Sequence, residues 1–281
     1  MTRTAFLLIS VAIWAAQTSA AQNAPKLKEP DGPEGWVPAP SSRINPALWE
    51  CAGYGGSQIL SLQQGSPRVS NLSDEETEKV SLPQFLKLSK EMIGSRSLLR
   101  TADGWLVGFD AGEFGGGLWW FNNEGDANRR LLSENVHSIL QTANGVFVLV
   151  GLAHLSLDNG KIYQFTETGE EVKVTLLADL GGSPEAVTVD PEGRIVIATP
   201  KSVLAFDYSG NVHKLYTSGE DLTYPTSVVV DEHGDIYVGM RFFVLRLVPA
   251  SGAVYRPQWL MSKKCQSFKI VKRICTCTAP D

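Results

Sequence analysis

The chain has 281 residues, a length for one or two domains. Hydrophobic residues make up 43% and charged residues 20%, which is ordinary globular usage and excludes a mainly disordered or collagen-like chain. A formal charge of −5 at pH 7 leaves no basic field to draw the protein to nucleic acid.

The first element in chain order is an address. Arg3 supplies a positive start, Ala5 to Ala16 (AFLLISVAIWAA) is an apolar core, and Thr18-Ser19-Ala20-Ala21 offers small residues for cleavage. Twelve residues rise about 18 Å as a helix, short of the roughly 30 Å hydrocarbon core, so residues 1–21 read as a cleaved signal peptide and not an anchor. No later run of 18 apolar residues predicts a transmembrane segment. The expected location is the periplasm or the cell exterior. Residues 22–47 carry Pro25, Pro30, Pro33, Pro38, Pro40 and Pro46, which prevent a regular helix or central strand. They read as a linker or an extended arm lying on the domain that follows, residues 48–281.

Cys51 opens that domain, while Cys265, Cys275 and Cys277 close it. In an oxidising compartment an even count favours two disulfides, with three connectivities open. A bridge from Cys51 to the C-terminal group would tie the ends together. A metal site on Cys275-Thr276-Cys277 is the weaker rival, since no histidine lies near it.

An internal repeat runs from 95 to 260. Four units share one order of features. A strand-like run comes first (SLLRT from Ser97, SILQT from Ser138, AVTVD from Ala186, SVVVD from Ser227). A turn then ends at Gly104, Gly145, Gly193 or Gly234. A second strand follows, then a third, then a turn with Gly125, Gly169, Gly210 or Gly252, then a more polar fourth strand. The first glycine set is spaced 41, 48 and 41 residues apart and the second 44, 41 and 42. A four-stranded unit repeating every 40–45 residues or so is what a β-propeller blade requires. The predicted fold is therefore all-β, a propeller of four-stranded blades. Gln58 to Leu72 reads as a third strand, turn and fourth strand, and Phe268 to Cys277 as a source of an inner strand. Joining them gives five blades, the last closed by both chain ends. A separate blade over 48–92 with a partial sixth is the alternative.

The stretch Tyr224 to Gly239 (YPTSVVVDEHGDIYVG), with its weaker copy from Ser183 (SPEAVTVDPEGRIVIA), resembles the NHL-type and SMP-30/gluconolactonase-type propellers. The resemblance covers about residues 95–260 and is one of fold, because this superfold hosts enzymes and binding proteins alike. It implies that the start of each innermost strand faces a central channel. Eight residues before the turn glycines stand Arg96, His137, Glu185 and Thr226, the candidate ligand-binding ring. SMP-30-like enzymes carry a metal-binding glutamate in a Pro-Glu-Gly context. Here Pro184-Glu185 is followed by Ala186, so Glu185 is the single metal-ligand candidate. Asp110, Glu113 and Asp158 follow second strands and would join it if they face the same end. Asp190 and Asp231 end first strands and are expected to bond turn amides.

No nucleophile elbow, zincin or phosphate-loop motif is present, and no cofactor is predicted. Two functions follow. One is an exported module binding a protein, glycan or small ligand on its channel face. The other is a lactonase or esterase using a divalent metal such as calcium, with Glu185 holding the metal, His137 as base and Arg96 as oxyanion stabiliser.

Overall fold

The computed structural model describes residues 32–39, 57–71, 82–169, 171–219, 222, 224–250 and 254–264, and the backbone of 267–271 and 274–278. Three strands precede the repeat: β1 (Trp36–Pro38), β2 (Gln58–Gln63) and β3 (Ser66–Asn71). Blade one holds β4 (Ser95–Arg100), β5 (Gly104–Asp110), β6 (Gly116–Asn122) and β7 (Asn128–Leu132). Blade two holds β8 (Val136–Thr142), β9 (Gly145–His154), β10 (Leu157–Thr168) and β11 (Glu171–Asp179). Blade three holds β12 (Ala186–Val189), β13 (Ile195–Ala198), β14 (Ser202–Phe206) and β15 (Val212–Thr217). Blade four holds β16 (Ser227–Val230), β17 (Ile236–Gly239), β18 (Phe243–Pro249) and β19 (Tyr255–Ser262). The hairpin β20 (Ser267–Val271) and β21 (Ile274–Thr278) ends the fold. Each blade is an antiparallel meander, paired in chain order, and no α-helix occurs among the described residues.

Innermost strands meet in sequence: β4 packs on β8, β8 on β12, and β12 on β16. This is the propeller arrangement that the repeat predicted. The core is accordingly a series of layers between blades. Leu106, Leu118 and Val136 with Val148 and Val150 fill the first junction. Phe147, Leu149 and Ile162 meet Ile195, Ile197 and Phe206 in the second. Val196, Ala198 and Val203 meet Val228, Val238 and Leu245 in the third. A blade covered on both faces needs apolar residues at every position of its middle strands. Ile195–Ala198, Ser202–Phe206 and Ile236–Gly239 are buried throughout their lengths, as that rule demands. Each fully buried large aliphatic or aromatic side chain contributes roughly 1.5–3 kcal/mol.

The turns after the first strands follow the expected chemistry in blades three and four. Asp190 Oδ1 accepts the Arg194 N–H at 2.7 Å, and Asp231 Oδ1 accepts those of His233 and Asp235 at 2.9 Å each. Gly193 and Gly234 have φ of 85° and 80°, which a β-carbon would strain. Gly104 in blade one is needed for a different reason. An added β-carbon there would lie 2.1 Å from the Phe121 carbonyl oxygen.

Three features go beyond the sequence reading, and the first departs from it. First, β2 packs on β16 and β17 as β16 packs on β12 and β13, so Gln58–Gln63 takes an inner position and not that of a third strand. The β2–β3 and β20–β21 hairpins form separate two-stranded sheets. Second, β1 extends the outer edge of blade four, with Trp36 opposite Ser262 and Pro38 opposite Leu260. Part of the proline-rich segment is thus an edge strand, where proline is tolerated. Third, the 48-residue interval has a cause. β9 and β10 overrun their blade to a tight turn at Leu155 and Ser156, with Leu157 paired to His154. Residues 1–21, Cys51 and Cys265, and the side chains of Cys275 and Cys277, lie outside the described residues, as do the signal-peptide and disulfide expectations that rest on them.

The blades approach closely where a second strand meets the next inner strand. A β-carbon on Gly108 would lie 2.4 Å from Val136 Cγ1, and one on Gly239 would lie 2.3 Å from the Gln58 carbonyl oxygen. Gly239→Val is therefore expected to cost about 1–3 kcal/mol and lower the Tm by about 2–4 °C per kcal/mol. Gly219→Ala, where an added carbon meets nothing within 4 Å, is expected to stay within about 0.5 kcal/mol of wild type. Equal unfolding temperatures for the two variants would contradict the close-approach account.

Candidate functional site

The site lies at the end of the blades where first strands begin and second strands finish. Ser95 pairs with Asp110 in blade one and Val136 with Val150 in blade two, so Asp110 and His137 stand at that end. Glu185 sits there too, one residue before β12. The β9–β10 overrun carries Asp158 to the same region.

His137 is the centre of the polar contacts. Its Nε2 lies 3.6 Å from Asp110 Oδ2 and 3.2 Å from Ser183 Oγ. The side chains of His137 and Asp110 are only 18% and 16% exposed. Both aspartates are fixed from behind. Asp110 Oδ1 accepts the Gly112 N–H at 2.8 Å, and Asp158 Oδ1 accepts the Ser183 N–H at 2.8 Å. Three carboxylates, from Asp110, Asp158 and Glu185, therefore share one region with one imidazole. Burial pushes the Glu185 carboxyl above its ordinary value of 4.5, and the Asp110 and Asp158 charges push the same way. His137 and the Ser183 hydroxyl oppose that shift.

Beside this cluster opens a pocket of about 430 Å³. Asp158 and Glu185 supply its acidic wall. Leu155, Leu157, Leu222, Tyr224, Pro200 and Pro225 supply apolar ones, and His154, Ser156 and Lys201 complete the lining. Leu155 is 95% exposed at the hairpin tip and Tyr224 is 59% exposed. Arg241 lies over the Tyr224 ring, 3.9 Å from its centre. Leu155 and Tyr224 both hold positive φ, 53° and 52°, so the rim of the pocket is made by backbone in the left-handed region.

The sequence-derived ring is only partly assembled. His137 and Glu185 come together. Arg96 is exposed on β4, opposite Phe109, and forms no ion pair among the described residues. Thr226 turns its hydroxyl to the Gln58 and Gly239 carbonyls, at 2.8 and 3.2 Å, so it locks β2 to blade four. Glu113 bonds His154, a residue of the pocket lining, at 2.9 Å. Ser183 joins the site without a signal in the sequence. Its side chain and backbone amide join His137 to Asp158 across the blade junction, a link that no local motif announces. The donors do not converge on a metal position. Among the described residues no three His, Cys, Asp or Glu side chains are grouped to hold an ion.

No protein-family model matches the sequence, and no curated protein does. Solved structures of similar fold include virginiamycin B lyase from Staphylococcus aureus, at 13% identity and a TM-score of 0.42, covering 60% of this chain and 56% of that one. A gluconolactonase from Xanthomonas campestris is similar at 11% identity and a TM-score of 0.37, covering 69% and 61%. PorZ, a surface component of the type-IX secretion system of Porphyromonas gingivalis, is similar at 13% identity and 0.40, covering 69% and 30%. The chain spans less than two thirds of the length of each of these proteins. These likenesses concern the fold, which stands on the sheet order and blade contacts described above.

A carboxyl whose pKa is raised on folding contributes full stability below its unfolded pKa, and that contribution is lost as pH rises through the folded value. Glu185→Gln stays neutral at every pH. The variant is therefore expected to gain stability relative to wild type as pH rises above about 4.5. Paired thermal unfolding below and above that pH checks this; a stability difference that stays constant with pH contradicts it.

Proposed function

We propose that this chain is an exported β-propeller that binds a small ligand on its channel face. The observation that carries the reading is the partly buried Glu185 carboxyl, beside His137 and Asp158, at the wall of a pocket with apolar sides. A carboxylate that faces a cavity offers a polar anchor to a ligand. The lining fits a molecule with an apolar body and a hydrogen-bond-donating or cationic head. Export is supported by the apolar run Ala5–Ala16 and the small residues after it.

The second reading is a divalent-metal lactonase or esterase. Three carboxylates and an imidazole in one region favour it. Against it, Asp110 and Asp158 each commit one oxygen to a backbone amide, and no set of three side chains surrounds a common point among the described residues. No catalytic step is assigned to a metal here.

Thermal unfolding separates the two. A ligand present at 100 times its Kd adds about 2.7 kcal/mol, enough to raise the Tm by several degrees at this chain length. Small amines and hydroxylated compounds are screened alongside EDTA, calcium, magnesium, manganese and zinc. The expected result is a shift with an organic compound that Glu185→Ala and His137→Ala both abolish. A shift with one metal that Glu185→Ala abolishes, together with lactone hydrolysis lost in Glu185→Gln, would overturn the binding reading in favour of the enzyme.

A further inference from the structure

A second pocket, of about 510 Å³, opens at the opposite end of the blades, where blade one meets blade two. Its size falls within the range of small-molecule sites, about 300–1,000 Å³. It is built on the Trp119-Trp120-Phe121 run. Phe121 is fully buried, but Trp120 is only partly so and forms part of the pocket wall. The indole is held rigidly. Its Nε1 donates to Glu167 of the neighbouring blade at 2.8 Å, and Gly104 leaves the room it occupies, since a β-carbon there would lie 2.7 Å from that nitrogen. Glu167 also accepts the Thr101 hydroxyl at 2.9 Å and the Asp103 N–H at 3.2 Å, so one carboxylate ties the two blades beneath the ring.

Around the indole stand planar polar groups with unused capacity. Asn122 is fixed: its amide donates to Asp126 at 2.8 Å and to Glu124 at 3.1 Å, and its oxygen accepts the Ala127 N–H at 3.1 Å. The side-chain amides of Asn123 and Asn128 are exposed and have no hydrogen-bond partner among the described residues. Arg129 gives one N–H to the Val172 carbonyl at 2.8 Å and keeps others. Asp103 adds a carboxylate acceptor at the rim.

We propose that this pocket binds a neutral oligosaccharide. A sugar ring offers a flat array of C–H groups, which an aromatic face covers, and hydroxyls that donate and accept together. Amide side chains do both as well, and an adjoining guanidinium and carboxylate extend the set in each direction. An anionic ligand would meet Asp103 and Glu124, and a purely apolar one would strip water from Asn123 and Asn128 without replacing it. The site is separate from the channel face and does not rest on the function proposed there.

The test is calorimetric titration of the purified protein with neutral oligosaccharides of glucose, mannose, galactose and N-acetylglucosamine. At least one is expected to bind. Asn123→Ala with Asn128→Ala, both at exposed positions, is expected to weaken binding about tenfold or more while leaving the Tm unchanged. Glu185→Gln is expected to bind as wild type does. Binding to none of the sugars, or binding that Glu185→Gln abolishes and the double asparagine variant retains, overturns the proposal.

Discussion

Everything in this fold follows from the need to cover both faces of each blade. A four-stranded sheet with apolar residues on both sides is insoluble alone, and stacking neighbours supplies the missing cover. The two ends of the stack meet the same requirement by different means. Leu60 and Val69 of the β2–β3 hairpin lie on the far face of blade four, against Tyr237, Val244 and Leu260. The near face of blade one, with Val107, Phe109 and Phe121, is covered by Leu86 and Met92 from the segment before β4. Neither device is a full blade, yet each buries a layer comparable in kind to those between blades.

Close stacking also dictates where polar chemistry can occur. The junctions are largely apolar along the strands, with the buried Arg246–Asp235 ion pair as an exception, and become more polar toward the strand ends. Asp207 is held well below its ordinary value by bonds from His213, Ser209 and Asn211, and the turn between β14 and β15 satisfies it completely. Glu185 is pushed the other way by burial and by neighbouring carboxylates. The two carboxylates differ in setting: Asp207 is bonded by its own turn, while Glu185 lies at a pocket beside like charges.

Much of this was legible in the sequence. The period fixed the strand order and the turn positions, and Asp190 and Asp231 do bond turn amides as their places in the repeat imply. The register also brought out His137 and Glu185. What it could not show was partnership across blades. Thr226 and Glu185 occupy equivalent positions, yet one meets the Gln58 carbonyl and the other a pocket, because a hairpin 168 residues away in sequence stands beside only the first. Ser183 was hidden for the same reason: its partners, His137 and Asp158, are reached through packing and not through local pattern. The overrun of β9 and β10 was recorded as an irregular spacing of glycines, but spacing alone does not say at which end the extra residues project.

The overrun matters for how the channel face is made. Irregularity in blade two brings Leu155 and Leu157 into the wall of the pocket that Glu185 lines, and the Glu113–His154 pair connects that hairpin to the β5–β6 loop of blade one. The pocket is thus walled by a departure from the repeat, while its acidic groups sit at the regular strand ends. A repeat protein gains stability from what its units share, and a pocket with one acidic and one apolar side needs units that differ. Blade two supplies that difference at both ends of the molecule: its overrun shapes the channel pocket, and its Glu167 fixes the indole of Trp120 at the other.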